Sequence, residues 1–474
     1  MSIINVTDLK IPFKFKSEIH DELKKDFNKI NINGVPIEQT EVERKLDALY
    51  EWIRSTPKNI TYRVNLLQTT TEQVIQHLKD VISQEYENRV PTITTFPHLS
   101  EIVTVHNWDE SVKLDLLKRS KEVLVDATCG SAVLRGSHVY APGIIGIPNG
   151  LNIGDVVSVY ADIVGTYKKG LLKPFEIDSE NKIFLGNGIL KQTRKNIFCN
   201  DGQIARGIAI HMTDVVSRLP QLSNISVPDG WALLQNLPSI ICTRILNPQP
   251  GEIILDMCSA PGNKSTHISS LMNGKGILIA LDKNKPKSEK LKINCSKFSS
   301  GNVKSFWYNS KKAYNKYMDS SNINDGPPFK SNSFDRILLD SPCSALGQRP
   351  QLLNKITAVQ LRSYVSLQRK LFSTAVHLLK TNGILVYSTC TITIAENEGI
   401  ISWALKTYPC LKLNSIKDRL DFIKDQSKIF YSKGYSIDGL TENESEYLLR
   451  IGPEQDSIGF FIACFTKQSM EEIN

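Results

Sequence analysis

The chain has 474 residues, 41% of them hydrophobic and 22% charged; this allows two or three domains with proper cores and excludes a disordered tail protein. A formal charge of +8, carried in part by stretches such as Lys283 to Lys292, favours a polyanionic partner only modestly. Nine cysteines without a CxxC pair suit neither a disulfide framework nor a zinc site, and neither a leader pattern at Met1 to Lys10 nor a membrane-length apolar run is present, so a soluble cytoplasmic protein without metal or membrane attachment is expected.

Up to about residue 118, helical periodicity over Glu41 to Ile53, a strand at Tyr62 to Leu66 and a helix over Glu72 to Ile82 behind the capping residues Thr69 to Thr71 predict a small α+β unit (1–118). From about Lys121 to Thr213 the texture changes to short β-branched runs cut by glycines. Val133-Leu134-Arg135-Gly136, Asp155 to Tyr160 and Ile183 to Gly186 read as strands of a compact β-barrel, with Lys168-Lys169-Gly170 at a turn tip. After Pro228, strands at Glu252 to Met257, Gly276 to Leu281, Val303 to Tyr308, Phe334 to Leu339, Gly383 to Tyr387 and Gly459 to Phe465 alternate with helical stretches, the pattern of a mostly parallel α/β sheet. Ser310 to Ser333 and Arg419 to Arg450 read as loops at the sheet edge or over the active face.

The first of these strands runs into Cys258-Ser259-Ala260-Pro261-Gly262-Asn263-Lys264, small residues that let the backbone approach a ligand at the carboxyl end of the sheet. The second ends at Asp282, a carboxylate able to hold both hydroxyls of a ribose, and the third at Asn309, an amide able to meet an adenine edge. The set points to adenosine without separating a dehydrogenase from a methyltransferase. The fourth strand delivers Asp340-Ser341-Pro342-Cys343 and the fifth Tyr387-Ser388-Thr389-Cys390. A strand-end carboxylate can hold a ring nitrogen of a flat heterocycle, and a thiol in a polar, helix-capping setting has a lowered pKa; two such thiols beside an adenosine site suggest sulfur-nucleophile chemistry.

These runs, with Gln348-Arg349-Pro350, Gln368-Arg369-Lys370-Leu371, Arg63-Val64-Asn65 and Asp456 to Phe461, resemble the Nop/Sun (NSUN) RNA cytosine-C5 methyltransferases over nearly the whole chain. Leu134-Arg135-Gly136-Ser137-His138-Val139-Tyr140-Ala141-Pro142-Gly143 and Phe184 to Gly188 resemble the PUA domain that one branch of the family carries between its N-terminal and catalytic parts. The resemblance implies an α/β chain in three parts: the N-terminal RNA-binding region (1–118), the PUA domain (119–215) and a Rossmann-like methyltransferase domain (216–474). It implies S-adenosyl-L-methionine on Cys258 to Lys264, Asp282, Asn309 and Asp340, with Cys390 attacking cytosine C6, Cys343 assisting release, Asp340 polarising N3, and Lys264 close to both ligands. Asn309 replaces a carboxylate of the family pattern and Asn263 a glycine, two departures that bear on cofactor affinity. The implied partner is tRNA, read at its CCA end and acceptor stem by Lys168, Lys169, Arg135 and Tyr140, with a cytosine near the acceptor end as target and the protein acting as a monomer. Three alternatives remain: an RNA-binding protein with a degenerate catalytic domain, a cytosine methyltransferase acting on other RNA, and a DNA enzyme in which Cys343 attacks. An adenine-N6 enzyme would want an Asp-Pro-Pro-aromatic motif, from which Asp340 to Cys343 departs.

Overall fold

A computed structural model describes residues 10–96, 98–198, 205–318, 322–420 and 431–469. Residues 1–9, on which most of the leader reading rests, and parts of the two long polar segments lie outside the described residues. No helix of the described residues is long and apolar enough to cross a membrane.

The catalytic part is one eight-stranded sheet. Its strands, in chain order, are β1 (Ile253–Asp256), β2 (Ile277–Asp282), β3 (Val303–Trp307), β4 (Phe334–Asp340), β5 (Leu379–Thr389), β6 (Leu411–Asn414), β7 (Leu449–Ile451) and β8 (Phe460–Lys467). The spatial order is β3-β2-β1-β4-β5-β8-β6, with β7 also paired to β8. The first five are parallel and β8 runs antiparallel to β5. Continuous apolar runs make these strands: Ile337, Leu338 and Leu339 are fully buried, as are Leu385, Val386 and Tyr387, because helices cover both faces of a parallel sheet. Five parallel strands bring their carboxyl ends, and therefore Asp256, Asp282, Asp340 and Thr389, to one side of the molecule.

All six expected strands are present. β6 and β7 are additional, short pieces that periodicity cannot reveal. Of the two segments read as loops, Ser310 to Ser333 holds two 3-10 turns, Ser310–Lys312 and Ile323–Asp325, after the edge strand β3. The other includes β7 and a short helix, Glu442–Glu446. There the Arg450 guanidinium makes two bonds to the Glu398 carboxylate, of 2.7 and 3.0 Å, fully inside the protein.

The N-terminal sheet contains Asn59–Val64, Ile93–Phe96 and Leu99–His106, and a fourth strand, Ala232–Leu234, returns from after the barrel segment to pair with Asn59–Val64. The expected helices are Gln39–Arg54 and Thr71–Glu85, the latter opened by a capping box of Thr70 and Gln73. The expected strand at Tyr62 to Leu66 begins three residues earlier and stops at Val64, because Asn65 turns the chain and donates to Gly230 O at 3.0 Å.

Between them lies a six-stranded sheet whose two edges are Val139–Tyr140 and Ile144–Gly146. The edges are joined by a single 3-10 turn, Ala141–Gly143, so the sheet must curl almost fully onto itself. Its longest strand, Lys182–Leu190, carries Gly186 at φ +145°, where a Cβ would lie 2.1 Å from Asp214 O. Here glycine is required by strand-to-strand approach. One expected strand is corrected: Val133 and Leu134 belong to a helix, Ala127–Leu134. Asp126 caps it by accepting from Cys129 N at 2.8 Å, and Gly130 lets it press on Ala161 and Leu352, whose side chains would meet a Cβ at 2.5 and 2.8 Å.

Candidate active site

The loop after β1 is pinned to β2. Ser259 donates from both N and Oγ to Leu281 O at 3.0 Å, and the backbone N–H groups of Ala260 and Asn284 donate to the two oxygens of Asp282 at 3.3 and 2.8 Å. A carboxylate offers about four acceptor sites, so Asp282 keeps capacity for a pair of hydroxyls. Gly262 turns the loop at φ +106°, where a Cβ would meet Leu291 at 2.8 Å; Asn263, the first helical residue, needs no positive φ. The missing second glycine therefore costs the loop nothing. Asn309 Oδ1 accepts from Lys311 N at 3.3 Å, which leaves the amide NH₂ as the group free to donate to an adenine edge. An open loop, a carboxylate with spare lone pairs and a polar amide along three adjacent strand ends fit the adenosine and sugar of S-adenosylmethionine.

Asp256, fully buried beneath this loop, has one oxygen bonded by Ser265 Oγ at 2.7 Å and the other without a partner. Burial pushes its pKa up to about 7, with the Asp340 charge adding to the rise.

At the ends of β4 and β5 the two sulfurs of Cys343 and Cys390 stand 3.4 Å apart, both partly exposed. The Cys343 hydrogen bond holds the Cys390 thiol below its ordinary range, against burial and the Asp340 charge and with help from Lys264; the same contact, with burial, holds Cys343 far above it. The asymmetry favours charge on Cys390 over charge on Cys343. Asp340 accepts from Lys264 Nζ at 2.7 Å on one oxygen and from Ser388 Oγ at 2.7 Å on the other. Burial opposes the Lys264 charge, but the adjoining carboxylate more than offsets it and the ammonium titrates above its usual value. Every expected catalytic residue thus lies in one cluster.

The structure adds a residue that sequence reading missed. Glu396, fully buried after Cys390, accepts from Ser344 N at 3.0 Å, Ser344 Oγ at 2.5 Å, Thr393 Oγ1 at 3.0 Å and Gln368 Nε2 at 2.9 Å. Gln368 also donates to Pro342 O at 3.1 Å. One carboxylate therefore brackets Cys343 from both sides and ties its loop to the segment that follows Cys390. Burial raises the Glu396 pKa despite these four bonds. Behind the thiols, Gly347 N donates to Cys390 O at 3.1 Å and Gly459 N to Gly347 O at 2.7 Å, while Arg349 bonds Ser55 Oγ, Ser457 O and Asp456. This accounts for the Gln348-Arg349-Pro350 and Asp456 to Phe461 runs: they clamp the nucleophile's loop to the N-terminal region.

The four residues expected to meet RNA outside the catalytic centre do not form one group. Arg135 lines a cleft of about 580 Å³ that reaches Gln348, Arg349 and Asn263, and also a second hollow that includes Tyr140. Lys168 is exposed, and Lys169 donates to Pro142 O. Glu85, His138 and His211 bring their ligand atoms within 4.8 Å of one another where the helix Thr71–Glu85 meets the curled sheet. Metal binding is disfavoured there: His138 Nδ1 accepts from Met212 N at 3.1 Å, which leaves its proton on Nε2, the atom turned to Glu85.

A doubly covered parallel sheet, an adenosine-type loop and a thiol beside a carboxylate at neighbouring strand ends define an S-adenosylmethionine-dependent methyltransferase. Residues 243–466 match the family model described as 16S rRNA methyltransferase RsmB/F. The chain is 39% identical to the human tRNA (cytosine(72)-C(5))-methyltransferase NSUN6, covering 95% of this chain and 97% of that one. It is 31% identical to the Arabidopsis thaliana rRNA (cytosine-C(5))-methyltransferase NOP2C, covering 85% and 84%. Among solved structures, NSun6 from Pyrococcus horikoshii with SFG superposes with a TM-score of 0.68 at 26% identity, over 94% of this chain and 98% of that one. The chain belongs to the Nop/Sun (RsmB/F) family, the S-adenosylmethionine-dependent RNA cytosine-C5 methyltransferases.

Proposed function

We propose that the protein methylates C5 of a cytosine near the acceptor end of tRNA, position 72 in the names of its relatives from human, mouse and Pyrococcus horikoshii, with Cys390 as nucleophile. The observation that carries the roles is the 3.4 Å contact between the two sulfurs, which lowers the Cys390 pKa and raises that of Cys343. The Cys390 sulfur bonds to C6, and the C5=C6 electron pair then makes C5 nucleophilic. S-adenosylmethionine, when bound, supplies the electrophilic methyl group. N3 takes a proton from solvent as the adduct forms and returns it on elimination; Asp340, steadied by Lys264 and Ser388, accepts a hydrogen bond from that N3–H and so stabilises the adduct. Once Cys390 is bonded to carbon, the anion that chiefly keeps Cys343 protonated is gone. Cys343 can then give its proton to solvent and take the C5 proton; the C5–H electron pair re-forms C5=C6, the S–C6 bond breaks and its pair returns to the Cys390 sulfur.

The six-stranded curled sheet is read as a PUA domain that grips the CCA end, a reading supported by Gly186 and Gly188 at the strand approach and by the cleft running from Arg135 to the nucleophile's loop. Two unpaired thiols this close suit a reducing compartment, the cytoplasm. Methyl transfer to tRNA by Cys390→Ala and Cys343→Ala tests the roles. We expect no product from the first and a covalent protein–RNA species resistant to denaturation from the second; adduct formation by Cys390→Ala would overturn the assignment.

A further inference from the structure

The chain's positive charge is not where an RNA-end reader would put it. Residues 283–317 contain ten lysines and one acid, Glu289, a net of nine positive charges, whereas the whole chain nets +8. The rest of the protein is therefore close to neutral, and residues 119–215, the segment read as the RNA-gripping domain, hold eleven Lys and Arg against nine Asp and Glu. All ten lysines are exposed. Among the described residues only Lys292 and Lys297 find a carboxylate, Glu289 at 3.3 Å and Asp229 at 2.8 Å.

The fold gathers these charges at the outer edge of the catalytic sheet. They lie on the turn after β2, on the helix Lys285–Lys297, on the edge strand β3 and on the 3-10 turn beyond it. Two large aromatic side chains stand out among them: Trp307, 58% exposed at the end of β3, and Tyr317, 81% exposed. Each carries a lysine ammonium on its ring, Lys285 at 5.3 Å from the Trp307 centroid and Lys316 at 4.8 Å from that of Tyr317. Trp307 is held in place by its Nε1 bond to Lys283 O at 3.0 Å, and the 3-10 turn by Ser310 Oγ, which donates to Met257 O at 2.5 Å. Ordered aromatic faces among unpaired lysines are the chemistry that holds a nucleic-acid strand, with phosphates on the ammonium groups and bases on the rings.

β3 lies three strands from β4, about 14 Å at the usual inter-strand spacing of about 4.8 Å, and on the opposite side of Asp340 from the strand that delivers Cys390. We propose that this lysine and aromatic edge is a second RNA-docking surface. It holds the sugar–phosphate backbone of the substrate beyond the target cytosine, with an unstacked base against Trp307 or Tyr317. The proposal takes RNA as the substrate from the family and adds where its body rests.

The test is methylation and equilibrium binding of a tRNA transcript by Lys285→Ala/Lys311→Ala/Lys316→Ala, over a range of salt concentrations. Loss of three phosphate contacts is expected to lower the slope of log affinity against log salt by about 2 to 3 and to raise KM for RNA about tenfold. The kcat at saturating RNA and the affinity for S-adenosylmethionine should not change. The triple Lys→Arg variant should behave as the parent. Trp307→Ala should weaken binding of a single-stranded oligonucleotide more than that of a duplex. An unchanged slope and KM in the alanine variant would overturn the proposal while leaving the methyltransferase reading intact, as would an equal loss in the arginine variant. Failure of the unmutated protein to methylate tRNA while it methylates another RNA would sink the tRNA assignment instead, and the slope on that RNA would still decide the role of the edge.

Discussion

Two clusters of ionisable groups in this molecule are built from similar parts and differ in purpose. At the strand ends, Cys343, Cys390, Asp340 and Lys264 meet at hydrogen-bond distances; at the junction of the helix Thr71–Glu85 with the curled sheet, Glu85, His138 and His211 do the same. The junction is symmetric in effect, since one carboxylate receives two imidazoles at 2.9 and 3.5 Å and nothing is left over. The strand-end cluster leaves two partly exposed thiols, with the pKa of Cys390 lowered and that of Cys343 raised. A cluster becomes reactive when its charges are unevenly matched and one of them can be reached, and it becomes structural when its members satisfy one another.

The widest separation between the two is expected from removing the uneven member. Cys390→Ala should lower methyl transfer by roughly 10³-fold or more, as loss of a covalent nucleophile does, with the thermal unfolding midpoint nearly unmoved. Next is Glu396→Gln. A glutamine offers one acceptor oxygen where the carboxylate receives four bonds, so an amide NH₂ would face a donor and the Cys343 loop would loosen. We expect kcat to fall by about 10- to 100-fold, with S-adenosylmethionine affinity retained by calorimetry; unchanged kcat would remove Glu396 from the positioning of the pair. Third, the pH profile of adduct formation should report the contact between the two thiols. Because the Cys343 contact is the main cause that depresses the Cys390 pKa, the acid limb in the parent should lie below the ordinary thiol value of about 8.5. In Cys343→Ala the limb should move to higher pH, and adduct formation near pH 7 should slow accordingly. A limb that stays in place would mean that Lys264, and not Cys343, sets the thiolate.

The reactive cluster was the more legible of the two. Its members sit at strand ends announced by buried apolar runs, so Asp282, Asp340 and the two thiols can be placed on one side of a sheet from the sequence alone. Glu396 could not, because its role depends on how a loop folds back after Cys390, where no periodicity operates. The helix Ala127–Leu134 was read partly as a strand because β-branched Val133 dominates locally, whereas the decisive signals are the Asp126 cap and the small residues that allow close packing. The Glu85, His138 and His211 contact was invisible for a related reason: its members come from three separate elements whose docking only the tertiary structure sets. The Lys283 to Lys292 run was visible but read as diffuse surface charge; its concentration at one edge appears once the fold shows what lies beside it.

The junction cluster gives the smallest effect and the cleanest test of its structural character. Burial alone would raise the Glu85 pKa, but the hydrogen bonds and charges of His138 and His211 outweigh it and hold the carboxyl at about 2. A folded-state value below the unfolded one of about 4.5 means that Glu85 contributes stability above that pH and loses it as pH falls toward 2. His138, whose pKa burial lowers, works in the same direction, since acid forces a proton onto it that the folded state resists. Stability from urea unfolding should therefore fall with acidification through this window in the parent. In Glu85→Gln the fall should be shallower by about 1 to 2 kcal/mol, within the range for a partly buried charge-assisted hydrogen bond, while methyl transfer at neutral pH should keep its acid limb. A shift of that limb would show that the two clusters are coupled through the fold, and the contrast between a reactive and a structural site would then fail at the one place where both can be titrated.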